Sequence, residues 1–124
     1  MRLSVIITTY NQPEWLEKVL RGYAVQDFRD FELIVADDGS DERTALLLPR
    51  METHLGVPLL HIWHHDTGFR KCTILNRAIR AATGDLLVFS DGDCIPRRDF
   101  LAAHQLLSRA GCFLSGGYVK LTAA

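Results

Sequence analysis

The sequence predicts an α/β fold built on a mostly parallel sheet flanked by helices, and three observations carry that prediction. Short, β-branched apolar runs alternate with amphipathic segments along the chain. That alternation implies right-handed crossovers, which leave successive strands parallel. Three of the apolar runs end in polar, ligand-capable residues, and open parallel sheets bind their ligands beyond the carboxyl ends of the strands.

The elements follow in order. Leu3–Thr9 is a nearly continuous β-branched run, the pattern of a strand buried on both faces. Asn11 or Gln12 stands at a helix-cap position, Pro13 falls in the first turn, and Glu14 is placed for a capping box. Leu16, Val19, Leu20 and Tyr23 then recur at helical spacing. A second strand over 31–36 closes in Asp37-Asp38-Gly39-Ser40. A helix over 42–54, capped by Ser40 or Asp41, is expected to bury Ala45, Leu46 and Leu48, with Pro49 as a point of interruption. Gly56 and Pro58 mark a turn before a third strand, Leu59–Trp63, and 64–69 is a loop. From Arg70 a helix is expected to bury Cys72, Leu75, Ala78, Ile79 and Ala82 and to stop at Gly84. A fourth strand over 86–89 is closed by Asp91-Gly92-Asp93. A helix over 97–109 and a last strand over 112–119, broken at Gly116-Gly117, complete the reading. There is no internal repeat and no linker, so residues 1–124 are taken as one unit.

Composition narrows the function classes. The 14 Lys and Arg nearly cancel the 15 Asp and Glu, giving a net charge of -1, which excludes a generally basic nucleic-acid binder. At 48% apolar and 23% charged residues the chain is of ordinary globular composition. Cys72, Cys94 and Cys112 make neither a disulfide framework nor a CxxC metal pair, and they are expected to pack as small hydrophobes. No apolar run reaches the ~18 residues of a membrane span, and the apolar start is too short for a signal peptide. A soluble cytoplasmic domain is the expectation.

The strand ends carry the chemistry. Asp91 and Asp93 flank a glycine, a spacing that can aim two carboxylates at one hard cation such as Mg²⁺; it is also ordinary turn chemistry. Asp38 could accept a hydrogen bond from a base N–H or a ribose hydroxyl, and Tyr10 could stack on a base. Arg70 and Lys71 open a helix, where free N–H groups already favour an anion such as a diphosphate. His64-His65-Asp66 has metal-ligating residue types, but adjacent side chains on an extended chain point opposite ways. No GxxxxGK[ST] loop, no GxGxxG after the first strand and no GxSxG elbow is present.

With these residues in view, the sequence resembles the family 2 glycosyltransferases, which have the GT-A fold. The matching blocks are Ser4-Val5-Ile6-Ile7-Thr8-Thr9-Tyr10-Asn11, then Phe31-Glu32-Leu33-Ile34-Val35-Ala36-Asp37-Asp38-Gly39-Ser40. Gly68-Phe69-Arg70-Lys71 through Leu75-Asn76-Arg77-Ala78-Ile79 follows, and then Gly84-Asp85 with Phe89-Ser90-Asp91-Gly92-Asp93. The resemblance is to bacterial members that build lipopolysaccharide, capsule or related glycans. It implies a nucleotide-sugar donor, with a lean to UDP, a divalent cation (Mg²⁺ or Mn²⁺), and a glycan or lipid-linked acceptor. Thr8 and Tyr10 match positions that contact the base, and Asp38 the position that recognises uracil. Asp91 matches the first DXD carboxylate near the ribose and metal, and Asp93 the one that holds the metal on the diphosphate. Arg70 or Lys71 is the implied phosphate contact. Peripheral association with the inner membrane is compatible with such acceptors.

The family continues beyond the DXD strand into a part that supplies the acceptor site and the catalytic carboxylate, and no Asp or Glu follows Asp99 here. The expectation is therefore a donor-binding portion, incomplete at its C-terminal side, that assigns no catalytic base. It would bind donor without transferring sugar, and it would self-associate through an open edge or be only marginally stable. The alternative is a non-catalytic nucleotide- or partner-binding module. A sugar nucleotidyltransferase would want a Gly-rich basic loop after the first strand, where Asn11-Gln12-Pro13-Glu14 stands.

Overall fold

The computed structural model describes residues 1–121; residues 122–124 of the expected donor-binding unit lie outside the described residues. The elements are β1 (Leu3–Thr9), α1 (Pro13–Ala24), β2 (Phe31–Asp37), α2 (Glu42–Leu55), β3 (Leu59–Trp63), α3 (Lys71–Ala81), β4 (Leu86–Asp91) and α4 (Phe100–Leu107). The four strands form one all-parallel sheet in the order β3-β2-β1-β4.

The two central strands explain their own sequences. Leu3, Val5 and Ile7 of β1, with Phe31, Leu33 and Val35 of β2, pack into the core shared with α1, α2 and Leu101 of α4. The alternate residues Ile6, Ile34 and Ala36 face the other side, against Ile74 and Ala78 of α3. Both faces are covered, so the period-two alternation vanishes into continuous apolar runs. Each such Leu or Ile withdrawn from water contributes roughly 1.5–3 kcal/mol.

Helix phases depart from the sequence reading in instructive ways. In α1 all four expected residues are buried. In α2 the buried stripe is Thr44, Leu47, Leu48, Met51 and Leu55, while Ala45 and Leu46 face solvent. Leu46 and Leu48 are two apart on a helix and cannot share a face. Pro49 does not interrupt α2, which runs on to Leu55. In α3 the fully buried residues are Ile74 and Ala78. Leu75 and Ala82 pack partly against them, whereas Cys72 and Ile79 are exposed. Cys112 is also exposed and Cys94 half-buried, so the cysteines are not core residues.

The caps and ends differ as well. Gln12 is the N-cap of α1 but makes no side-chain cap bond. Glu14 closes no capping box; it lies 3.9 Å from Arg43. Asp41 does cap α2, accepting the N–H of Arg43. The fourth strand runs to Asp91, because β1 offers it partners as far as Thr8. Helix α4 begins at Phe100, three residues after the expected start, following a turn in which Phe100 N–H donates to the Arg97 carbonyl. The strand expected over 112–119 is absent among the described residues: the segment is irregular and Phe113, Tyr118 and Val119 are exposed. Paired glycines weaken a strand from within, and no neighbouring strand fixes this one. No helix among the described residues is long and apolar enough to cross a membrane.

Candidate functional site

The register brings the strand ends level: Thr9 lies opposite Asp37, Asp37 opposite Trp63, and Thr8 opposite Asp91. The chain leaves the sheet at this edge around an open cavity of about 520 Å³. Thr8, Tyr10, Asp38, Lys71, Asp91 and Asp93, all singled out from sequence, line it together. Arg70 does not line it. Its guanidinium donates to Thr67 Oγ1 at 3.2 Å, and only its backbone N–H reaches the site.

The carboxylates at the end of β4 are held by their neighbours. Thr8 Oγ1 donates to Asp91 Oδ1 at 2.8 Å, and Lys71 Nζ approaches the same oxygen at 3.3 Å. The Thr8 hydrogen bond, seconded by the Lys71 ammonium, pulls the Asp91 carboxyl below its usual range despite partial burial. Asp91 Oδ2 is left without a protein hydrogen bond among the described residues. Gly92 sits tight against β1: its N–H donates to the Thr8 carbonyl at 2.6 Å, and a Cβ there would lie 2.8 Å from that oxygen. Only glycine fits between the two aspartates.

Asp91, Asp93 and Cys94 each present a ligand atom, all within 4.8 Å of one another. Burial, then the two aspartates, pushes the Cys94 thiol up, and its sulfur is a softer donor than the carboxylates beside it. The donors that remain are hard carboxylate oxygens, the set that Mg²⁺ or Mn²⁺ takes.

On the opposite wall, Asp38 is nearly buried and accepts two protein hydrogen bonds. His64 Nε2 donates to Oδ1 at 2.6 Å and the Arg70 N–H to Oδ2 at 2.9 Å. Tyr10 is half-exposed, and its hydroxyl donates to Asp66 Oδ2 at 2.5 Å. That bond raises the tyrosine hydroxyl and lowers Asp66, which also accepts the Gly68 N–H. The 64–70 loop can lie this close because Gly39, at φ +98°, has no side chain. A Cβ there would fall 2.6 Å from Asp66 Cα. Asn11, at φ 48°, accepts the Asp41 N–H through its side chain and donates its own N–H to Ser40 Oγ, tying the ends of β1 and β2 together. It serves the turn rather than the helix cap.

Sequence reasoning missed the loop's contribution. Asp66 and Phe69 line the cavity, and His64 braces Asp38. His65 turns away to stack edge-on against Trp63 at 4.8 Å. The parity of the two histidines was legible; their targets depend on the β3–β2 register.

A family model described as "Glycosyl transferase family 2" matches residues 4–109. The chain belongs to this family. Among curated proteins it is 33% identical over 108 residues to validoxylamine A glucosyltransferase of Streptomyces hygroscopicus subsp. jinggangensis, covering 82% of this chain and 25% of that one. Among solved structures, TarS 1-349 of Staphylococcus aureus in complex with UDP-GlcNAc superposes with a TM-score of 0.71 at 28% identity, over 86% of this chain and 30% of that one. The mannosyltransferase PcManGT of Pyrobaculum calidifontis, in complex with GDP-Man and Mn²⁺, gives 0.72 at 36% identity, over 82% and 30%. The expected GT-A fold is thereby shown. The chain spans 26%, 25% and 40% of the length of three of the curated relatives it matches.

Proposed function

We propose that residues 1–124 are the donor-binding part of a metal-dependent glycosyltransferase that uses a UDP-sugar to build a bacterial polysaccharide or lipopolysaccharide. The observation that carries this reading is the convergence, at one sheet edge, of a base-sized wall and a carboxylate pair. Asp38 and Tyr10 stand on one side of the cavity and Asp91, Asp93 and Lys71 on the other. The solved relatives that bind UDP-GlcNAc, or GDP-Man with Mn²⁺, support the donor and cation classes.

In this reading Tyr10 offers a ring face to the base, and Asp38 accepts the imino N–H of uracil. Thr8 contacts the base side and fixes Asp91. Asp91 and Asp93 hold Mg²⁺ or Mn²⁺, which when bound neutralises charge on the leaving diphosphate. Lys71 adds positive charge beside Asp91 at 3.3 Å; Arg70 contributes its backbone to Asp38 rather than its side chain to phosphate. No described residue is assigned as the base for the acceptor, a glycan or lipid-linked sugar. Peripheral membrane location suits a lipid-linked acceptor. Self-association belongs to the same proposal: Phe113, Leu114, Tyr118 and Leu121 are exposed, and the outer edge of β4 is unpaired among the described residues. Light scattering across concentration checks it, and a monomer at all concentrations removes it.

A thermal-shift panel tests donor class. With Mn²⁺ present, UDP-sugars should raise the melting temperature well above ADP-sugars at equal concentration. Equal shifts, or none with any nucleotide, would overturn the reading.

A further inference from the structure

The 64–70 loop holds a residue that the donor-binding reading leaves unexplained. His64 is not among the residues that line the cavity, yet its side chain is only 12% exposed and its Nε2 lies 2.6 Å from Asp38 Oδ1. A carboxylate offers acceptors only, so the imidazole is the donor in this pair. The second oxygen of Asp38 takes the Arg70 N–H at 2.9 Å. The carboxylate plane is thus fixed from two sides, with one donor on each oxygen. Asp38 lines the cavity, and its carboxylate cannot rotate without breaking one of these bonds. The loop that delivers both donors is itself anchored. Trp63 Nε1 donates to the Ser40 carbonyl at 3.0 Å, and Asp66 takes the Tyr10 hydroxyl.

We propose that His64 is a positioning residue for base discrimination: by donating to Asp38 it fixes that carboxylate as an acceptor aimed at a ring imino N–H. The proposal rests on the reading of Asp38 as the base-recognising group. Uracil and guanine carry an imino N–H on the pairing edge, whereas cytosine and adenine present a bare ring nitrogen there. A fixed acceptor attracts the first pair and repels the second. A carboxylate free to turn, or to pick up a proton and donate it, loses that distinction. In the same reading, phosphate and metal contacts fall to Lys71, Asp91 and Asp93, which are not bonded to His64, and are common to all nucleoside diphosphates.

UDP and CDP differ at the base edge alone, so their affinity ratio isolates this effect. The ratio is measured by calorimetry with Mn²⁺ in the wild-type protein, His64→Ala and His64→Gln, with circular dichroism on each. The glutamine amide nitrogen can take the place of Nε2. His64→Ala should lower UDP affinity about tenfold, the cost of one hydrogen bond to a charged group, while leaving CDP affinity little changed. The UDP:CDP ratio should then collapse, and His64→Gln should restore most of it. Three results would overturn the role. They are an unchanged ratio in His64→Ala, equal losses for both nucleotides, and a folded His64→Gln as indiscriminate as His64→Ala. A wild-type protein that binds UDP and CDP alike would instead remove the Asp38 reading itself, and the role of His64 with it.

Discussion

The two ends of the same parallel strands carry similar polar residues and use them in opposite ways. At the amino end, Glu32 of β2 accepts the Ser4 hydroxyl at 2.6 Å and both the N–H and hydroxyl of Thr83, at 2.7 and 2.8 Å. Ser4 in turn accepts the Gly84 N–H at 2.8 Å. Burial alone would raise the Glu32 carboxyl, but these bonds and nearby Arg2 outweigh it and bring it below its usual range. At the carboxyl end, Asp91 and Asp93 are exposed and Asp91 keeps an unused oxygen. A buried carboxylate bonded by its own chain at the amino end, as Glu32 is with Arg2 3.8 Å from its second oxygen, clasps the fold; an exposed one that lines the cavity, as Asp91 does, is available to a ligand. Acidic residue type alone does not separate the two cases; burial and position at the cavity do.

Substitutions at the two ends should therefore dissociate binding from stability. The largest effect belongs to Asp93→Ala, which removes a proposed metal ligand. Metal-dependent UDP affinity should fall by more than the roughly 10–100-fold typical of losing an outer-shell metal partner. The melting temperature should stay near wild type, because the side chain is exposed. Calorimetry paired with thermal unfolding reads both, and a binding-competent Asp93→Ala would undo the assignment.

Glu32→Ala should do the reverse. It leaves Ser4 and Thr83 without their acceptor at a cost of about 2–3 kcal/mol in urea unfolding, with UDP affinity of the folded protein unchanged. The acid response has a definite sign. A folded-state pKa below the unfolded one makes the Glu32 contribution fully present above the ordinary glutamate value of about 4.3. It is lost as pH falls through the lower folded value. The stability gap between wild type and Glu32→Gln should narrow across that window; a gap independent of pH would show that the carboxylate charge is not what the clasp uses.

Smaller effects lie on the base wall. Asp38→Ala should weaken UDP by about 1–3 kcal/mol, the cost of an unpaired polar partner. Tyr10→Phe keeps the ring and removes only the exposed bond to Asp66, so its loss should be smaller still. If Tyr10→Phe cost more than Asp38→Ala, the loop anchor would matter more than the base contact.

Much of this was legible in the sequence because the central strands are buried on both faces. Leu3–Thr9 declares itself without reference to any partner, and its polar end predicts the edge where the cavity lies. Single-helix phase was harder: Leu46 and Cys72 are apolar residues on solvent faces, and only packing against the sheet reveals which stripe is inward. Strand 112–119 failed for a related reason, since a β-strand exists only with a neighbour to pair. The aspartates were found because the chain puts them at strand ends. His64 and Asp66 escaped because their roles depend on what crosses the loop at Gly39, a contact between residues about 25 positions apart.

The central claim is that the carboxyl-end cavity binds a nucleoside diphosphate through a divalent cation on Asp91 and Asp93. Calorimetric titration of UDP into the protein, once with Mn²⁺ and once with a chelator, tests it most directly. Saturable binding with Mn²⁺ that disappears in chelator is the predicted result. Equal affinity under both conditions, with the protein folded in each, would contradict it.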